Sequence, residues 1–320
     1  MIRAREIEDT YNNIKDDLFQ TPLIYSHELS KLSGATVYLK MEHLQKTGSF
    51  KLRGMLSKIT TLGQGDFRKV FVTASTGNHA AAFAYASDLY GFKGVLFMPE
   101  KTSPAKIKAI DHYPIQKIFY GKSSMEAEAR AGEYAKETGA MLIHPYNDID
   151  IIKGQGTIGV EISGILGKVD NVFAPIGGGG LISGLCLYYS ETATDVIGCQ
   201  PVNAQEMYES VLRGGIVAPS KLNTISDATA GGIEANAISF DICRKYLAGF
   251  ELIEEEDIKK ALAFIAKYHQ TLIEPASALP VAALLRENSY KGKIVVLVLT
   301  GRKINIDLLT NILNSYGDYY

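Results

Sequence analysis

Short, unbroken runs of apolar residues alternate along almost the whole chain with stretches whose apolar positions recur at helical spacing. Lys69-Val70-Phe71-Val72-Thr73, Gly94-Val95-Leu96-Phe97-Met98 and Ile294-Val295-Val296-Leu297-Val298-Leu299 have the length of strands and no polar alternation. That continuity is expected when helices cover both faces of a sheet, because every strand side chain is then buried. Between the strands lie amphipathic segments. From Glu255 to His269, Ile258, Ala261, Leu262 and Ile265 fall on one helical face while Lys259, Lys260 and Lys267 stay available to water. Strands crossed by helices in this order predict an α/β fold with mostly parallel sheets. No Pro/Gly/Ser linker, low-complexity tract or solenoid repeat divides the chain, so any second domain is inserted within the first.

Composition narrows the function. With 320 residues, 46% apolar and 21% charged, the chain suits one large or two smaller globular domains. The 33 basic and 35 acidic side chains are spread evenly, which leaves no phosphate-neutralising face for nucleic acid. The segment Met1-Ile2-Arg3-Ala4-Arg5-Glu6 lacks an apolar signal core, and no apolar stretch has bilayer-spanning length, so a cytoplasmic location is expected. Cys186, Cys199 and Cys243 are odd in number and far apart, as reduced buried thiols would be. The six histidines show no metal-ligand spacing.

Three glycine motifs compete as a phosphate site. Gly154-Gln155-Gly156-Thr157-Ile158-Gly159 matches the dinucleotide fingerprint GxGxxG and suggests NAD if read alone, with close helix packing as the alternative. The fingerprint also requires an acidic residue closing the next strand, whereas Asp170 opens it. Gly121-Lys122-Ser123 resembles the end of an ATP-binding P-loop, but Gln116 occupies the place of its first glycine. The third motif, Gly177-Gly178-Gly179-Gly180-Leu181, joins the strand-like Asn171 to Ile176 to a helical run. Four residues without Cβ let several backbone N–H groups converge on an anion at a helix amino terminus.

Lys51, in Lys46-Thr47-Gly48-Ser49-Phe50-Lys51-Leu52-Arg53-Gly54, supplies an amine able to form a Schiff base. Pyridoxal phosphate (PLP) is the common cofactor that needs both such a lysine and a phosphate cradle, which points to chemistry on amino acids. Ser75-Thr76-Gly77-Asn78-His79 forms another strand-to-helix junction. Its N–H groups and hydroxyls suit a carboxylate, and Asn78 can donate to a ring oxygen, although a plain helix cap explains the same residues.

Taken in order, these motifs resemble the fold-type II PLP enzymes, in particular the serine/threonine dehydratase (threonine ammonia-lyase) and serine racemase family. The similarity runs from Thr21-Pro22-Leu23 through Ser49 to Gly54, Ser75 to His79, His144-Pro145-Tyr146-Asn147-Asp148, Gly154 to Thr157 and the tetraglycine to Glu274-Pro275-Ala276. It implies two open, twisted, mostly parallel sheets flanked by helices, like the β subunit of tryptophan synthase. A small mobile domain at residues 68–143 would be inserted in a large PLP-binding domain made of 1–67 and 144–320. By the same resemblance Lys51 would carry PLP, Phe50 would lie against its ring, Asn78 would bond its phenolic oxygen and Gly177, Gly178, Gly179, Gly180 and Leu181 would hold its phosphate. Ser75, Thr76, Gly77, Asn78 and His79 would grip the substrate carboxylate. Lys51 would remove the Cα proton, with the cofactor phosphate as the family's proton donor to the leaving hydroxyl. Thr300 would stand beside the pyridine nitrogen. The implied reaction is dehydration of a small β-hydroxy amino acid such as L-threonine or L-serine to a 2-oxo acid and ammonia, by a homodimer.

The chain departs from the family pattern in places. Arg302 and Lys303 follow Gly301 where the family tail usually reads Gly-Gly-Asn. Thr76 replaces the serine with which racemases return a proton to Cα, which keeps the hydroxyl and disfavours racemisation. The family's divalent-cation positions fall on Gln200, Ala204 and Glu206, and a glutamine in place of a carboxylate weakens cation binding there. His79 stands where cysteine-synthase-like enzymes have threonine. The Ser75 to His79 run, Asp227 to Gly232 and Gly301-Arg302 are most similar to the dehydratases of hydroxyectoine utilisation. A dehydratase for a larger hydroxy amino acid, a serine racemase, a PLP-fold ligand sensor and, from the GxGxxG, an NAD oxidoreductase are the alternatives. The chain ends soon after a helix expected over Asp307 to Ser315, so a separate regulatory domain is not expected.

Overall fold

The computed structural model describes residues 2–319 apart from positions 64, 221, 287 and 288. Its strands are β1 (Leu23–Tyr25), β2 (Thr36–Lys40), β3 (Val70–Ala74), β4 (Lys93–Met98), β5 (Gln116–Phe119), β6 (Met141–Leu142), β7 (Asn171–Pro175), β8 (Asp195–Pro201), β9 (Gly249–Ile253) and β10 (Ile294–Val298). They form a six-stranded sheet in the order β1-β2-β10-β7-β8-β9 and a four-stranded sheet in the order β5-β4-β3-β6. Every neighbouring pair is parallel except β1 with β2. The expected α/β class with two mostly parallel sheets is therefore the observed one.

Two-sided burial explains the unbroken apolar strands. Along β10 and the residue after it, Val295, Leu297 and Leu299 join one core, with Phe264, Leu262 and Leu279. Val296 and Val298 join the core on the opposite face, with Ile158, Ile182 and Leu185. The helix Glu255–His269 forms with the bounds expected and buries Ile258, Ala261, Leu262 and Ile265.

The sheets divide the sequence unevenly. All four strands of the smaller sheet come from residues 70–142, while both chain ends build the larger one. The small sheet's core nevertheless includes Met55, Ile59 and Ile151, which lie outside the 68–143 stretch. Helices Lys51–Thr60 and Ile149–Leu166 thus belong to both bodies. Their shared packing ties the reactive lysine's helix to the smaller sheet as well as the larger.

The GxGxxG motif lies inside the helix Ile149–Leu166, whose first N–H groups are capped by Asp148. No strand-to-helix turn exists there to bind a pyrophosphate, so the NAD reading is overturned. The glycines serve packing instead. A Cβ on Gly154 would lie 2.5 Å from the Arg53 carbonyl and 2.6 Å from Gly54 Cα. One on Gly156 would lie 2.7 Å from the Gly184 carbonyl. The helix therefore touches the backbone of Lys51–Thr60 on one side and of Gly180–Tyr189 on the other, and so sets the separation between the lysine and the glycine loop. Gly121-Lys122-Ser123 is a turn between β5 and the helix Ser124–Thr138.

Candidate active site

In parallel sheets the loops leaving the carboxyl ends of adjacent strands share one side of the molecule, where ligands commonly bind. Here β2, β10 and β7 are neighbours. The loop after β2 leads to Lys51, Thr300 follows β10, and Gly177 follows β7. The pairing of Ser49 with Gly301 and a bond from Phe50 N–H to the Thr300 carbonyl, at 3.0 Å, lock the first two of these segments together. Positions 51 and 300 are neighbours only through the sheet.

Lys51 is the first residue of its helix, and its Nζ donates to the Pro145 carbonyl at 3.0 Å and stands 5.3 Å from the centre of the Phe50 ring. Burial pulls the amine down to about 8, against the opposing fields of Glu274 and Glu128. The next residue, Tyr146, lays its ring on the glycine loop. A Cβ on Gly178 would come within 2.5 Å of that ring, and one on Gly180 within 3.0 Å of Tyr146 Cβ. The amine and the loop therefore share the wall Pro145-Tyr146. Gly179 has φ +89°, a left-handed conformation that favours glycine, and the helix Gly180–Tyr189 starts at once behind it. The first N–H groups of that helix have no intrahelical acceptor and point out of its end.

The wall itself is clamped. His144 Nδ1 accepts from the N–H groups of Tyr146, at 3.2 Å, and Asn147, at 2.7 Å, while its Nε2 lies 2.7 Å from Glu234 Oε1. Glu234 Oε2 accepts from Asn147 Nδ2 at 2.9 Å, and its N–H donates to the Tyr146 hydroxyl at 3.0 Å. These links hold the Tyr146 ring against the glycines.

Behind Lys51 lies a charge cluster buried from water. Arg53 donates to Glu42 through Nε and Nη2, both at 2.8 Å, and to Glu161 and Thr157 through Nη1, at 2.9 and 3.2 Å. Lys40 completes the set with Glu161 and the Thr21 carbonyl. Two cations and two carboxylates balance, so the helix start carrying Lys51 is anchored to β2 and to the helix Ile149–Leu166 without net buried charge.

On the four-stranded side, β3 delivers Ser75, Thr76 and Gly77 to the start of the helix Asn78–Tyr90. Ser75 Oγ accepts from the Gly77 N–H at 3.2 Å, and Thr76 is half-buried beside them. Asn78 Nδ2 donates to both oxygens of Glu274, at 3.0 and 2.8 Å, while its Oδ1 is buried without a partner. His79 turns its side chain away from the turn. Its ring is buried and bonded to Thr73 Oγ1 at 3.0 Å, so only its backbone is left to the turn. Burial, with Lys51 and His144 adding to it, holds that imidazole well below its ordinary pKa and therefore neutral.

Thr300 is buried with its hydroxyl 3.0 Å from Ser277 Oγ, and Ser277 also accepts from the Gly301 N–H at 2.8 Å. Gly301 leaves room for Glu274, whose carboxylate would collide with any Cβ there. Burial raises Glu274 to about 7 in spite of Asn78 and Lys303. Glu274 was quoted within a motif by sequence reasoning but given no role in the site. Its signal was a lone acid inside the apolar run from Leu272 to Leu285.

The positions offered for a cation sit apart from this cluster, under β8. Gln200 Nε2 donates to the Ala204 carbonyl at 3.3 Å and the Ile176 carbonyl at 3.4 Å, and Gln200 Oε1 accepts from the Tyr208 N–H. Glu206 accepts from the Ser220 N–H at 2.9 Å. The Gln200 amide thus spends its donors on the carbonyl that a cation would use. Among the described residues no cluster of His, Cys, Asp or Glu has metal-binding geometry.

The residues present fit pyridoxal phosphate. The glycine loop ends at a helix amino terminus whose first N–H groups have no intrahelical acceptor, the lysine faces the same wall, and Thr47 Oγ1, Ser49 Oγ and Asn78 Oδ1 are buried without partners. Comparison with known proteins agrees. Residues 14–301 match the family described as pyridoxal-phosphate dependent enzymes. The chain is 36% identical to the L-threonine ammonia-lyase of Thermotoga maritima, over 98% of its own length and 79% of that protein's. It is 31% identical to the serine racemase of Dictyostelium discoideum, over 98% of both chains. The structure of maize serine racemase superposes with a TM-score of 0.90 at 26% identity, covering 99% of this chain and 98% of that one.

Proposed function

Because the chain belongs to the pyridoxal-phosphate-dependent enzyme family, we propose that it is a dehydratase that removes water from a small β-hydroxy amino acid to release a 2-oxo acid and ammonia. L-Threonine and L-serine are the default substrates, the first supported by an L-threonine ammonia-lyase and an L-threonine dehydratase that are 36% and 34% identical to the chain. The observation that carries the reading is the single wall, Pro145-Tyr146, that meets the Lys51 amine on one side and the glycine loop on the other.

When bound, pyridoxal phosphate supplies an electron-poor ring that takes up negative charge from the substrate's Cα. Lys51 and the glycine loop would hold it, with Phe50 against the ring, Asn78 at its oxygen edge and Thr300 at its nitrogen. Thr300 meets Ser277 rather than a carboxylate, so a neutral hydroxyl would face that nitrogen. The amine of Lys51, brought toward neutrality by burial, is suited to take the Cα proton near neutral pH. Backbone N–H groups of the Ser75 to His79 turn would hold the substrate carboxylate at a helix amino terminus.

Exclusion of water would come from closure of the four-stranded body at residues 68–143 over the larger one. Contacts already crossing between them support this: Asn78 with Glu274, Lys303 with the Gly77 carbonyl at 3.2 Å, and Lys106 with Asp227 at 3.6 Å. A homodimer and a cytoplasmic location complete the proposal. The dimer is supported by the exposed apolar side chains Ile24 and Tyr25 on the antiparallel edge strand β1. No helix among the described residues is long and apolar enough to cross a membrane.

Racemisation is the second reading, supported by the serine racemase relative at 31% identity and left open by the hydroxyl that Thr76 retains in the turn. One experiment separates the two. The purified protein is incubated with a panel of β-hydroxy amino acids, and both oxo-acid release and the chirality of the remaining substrate are measured. Oxo acid without inversion is expected; inversion without oxo acid would replace dehydratase by racemase, and neither would leave a ligand sensor. Borohydride should fix the cofactor on Lys51 in a peptide map.

A further inference from the structure

The cleft holds a lysine that the proposed reaction does not employ. Lys303 enters from the segment after Thr300, and its Nζ donates to the Gly77 carbonyl at 3.2 Å, within the turn set to face the substrate. Its side chain is accessible to water, and therefore to a ligand. An ammonium offers three donors, and the Gly77 carbonyl uses one.

The surroundings do not cancel its charge. Glu274 faces Lys303, but both Glu274 oxygens already accept from Asn78 and its carboxyl is raised to about 7 by burial, so near neutral pH it is only partly ionised. Partial burial, with Lys106 and Arg302 adding positive field against Glu274, lowers the Lys303 amine to about 8, which leaves it mostly protonated near neutral pH. Asp227 answers Lys106 at 3.6 Å from an exposed position. With Lys51, four cations thus lie around the turn against three acids, of which Glu274 is only partly ionised, Glu128 is raised by burial and Asp227 is exposed. An amino acid with a neutral side chain brings one carboxylate, and the turn's N–H groups already provide for it.

We propose that Lys303 binds a second carboxylate, carried on the substrate's side chain, so that the preferred substrate is a β-hydroxy amino acid with an acidic side chain. This rests on the dehydratase reading and narrows it. A carboxylate on Cβ lies within about 4 Å of the one on Cα by ordinary bond lengths, a span that suits a lysine bonded to the turn itself. The reaction stays redox-neutral. The Cα proton passes to Lys51, and the Cβ–O bond breaks as the departing hydroxyl takes up a proton and leaves as water. The resulting enamine gains a proton from solvent at Cβ to become an imine, which water hydrolyses to a 2-oxo dicarboxylate and ammonia.

The test uses the holoenzyme, with 3-hydroxyaspartate and serine as paired substrates. The wild type should favour 3-hydroxyaspartate in kcat/KM by at least about tenfold, and Lys303→Met should lower that ratio at least about tenfold while Lys303→Arg retains it. Binding is measured separately by calorimetry with succinate and butyrate, which carry two and one carboxylates and no amine. Succinate should bind at least about tenfold tighter, an advantage that Lys303→Met removes. Lys303→Gln replaces the methionine variant if that one does not fold. A kcat/KM ratio that Lys303→Met leaves unchanged, or equal affinity for the two acids, overturns the assignment. Turnover of serine with an unchanged ratio sinks the role of Lys303 alone, whereas no ammonia from either substrate sinks the dehydratase reading with it.

Discussion

Replacing Arg53 by methionine keeps much of the stem volume and removes the charge from the cluster behind Lys51. Glu42 and Glu161 then face Lys40 alone, in surroundings where Arg53, Lys40 and Glu42 are fully buried and Glu161 is 3% exposed. Burial opposes the Glu42 charge, and Arg53 outweighs it, holding that carboxyl below the usual range in the native protein. Removing one partner of a buried pair costs ~3–5 kcal/mol, because the other charge is left uncompensated. A loss of about 4 kcal/mol is expected for Arg53→Met, and with an m-value of ~3 kcal/mol per molar urea the unfolding midpoint falls by about 1.3 M. The decisive comparison is the double variant Arg53→Met with Glu161→Met. It leaves Lys40 paired with Glu42, 3.8 Å away, and no excess charge. The double variant should then be about 2 kcal/mol more stable than the sum of the single losses predicts. Urea titrations of the apoprotein followed by far-UV circular dichroism measure all four corners. A loss below ~1 kcal/mol for Arg53→Met, or simple additivity of the pair, would refute the charge-balance argument.

Two further outcomes follow from the site. Lys51 should react with an amine-directed reagent in the apoprotein with a midpoint near pH 8, where an exposed lysine would show one near 10.5, and a peptide map against pH reads this directly. The sign for stability agrees: between those values the unfolded chain binds more protons, so the contribution of Lys51 to stability rises with pH, and below pH 8 the full penalty of burying the ammonium remains. Gly178→Ala places a methyl 2.5 Å from the Tyr146 ring and should cost ~1–3 kcal/mol and weaken cofactor binding at least about tenfold. Gly164→Ala, at a helical position with nothing within 4 Å, is the control and should be neutral or slightly stabilising. Equal cofactor affinity in the two variants would contradict the cradle.

Much of the architecture was legible because its causes are local. Continuous apolar runs announced strands buried on both faces, and the spacing of Ile258, Ala261, Leu262 and Ile265 announced one face of a helix. The tetraglycine and Lys51 stood out because few ordinary structural needs call for either pattern. His79 belongs to the turn by sequence, but only the structure shows that its ring bonds Thr73 in the core and leaves only its backbone to the turn. Gly154 to Gly159 left two readings, because glycines that admit a phosphate and glycines that admit a neighbouring helix read alike, and the structure shows the helix packing. Glu274 was read as part of a motif without a role, because its partner, Asn78, lies 196 residues away.

Taken by itself, the order of residues determined the fold class, the strands and helices, and the two kinds of group that a phosphate-bearing aldehyde requires. Those features depend on period, on side-chain size and on missing Cβ atoms, all of which are properties of short segments. The tertiary structure alone decided that positions 51, 146, 178 and 300 converge, because that depends on β10 pairing between β2 and β7 and on glycines letting three helices touch. It also decided the charges of the site. Lys51 and Glu274 shift toward neutrality only when packing removes water from around them, and sequence spacing carries no record of where water is excluded.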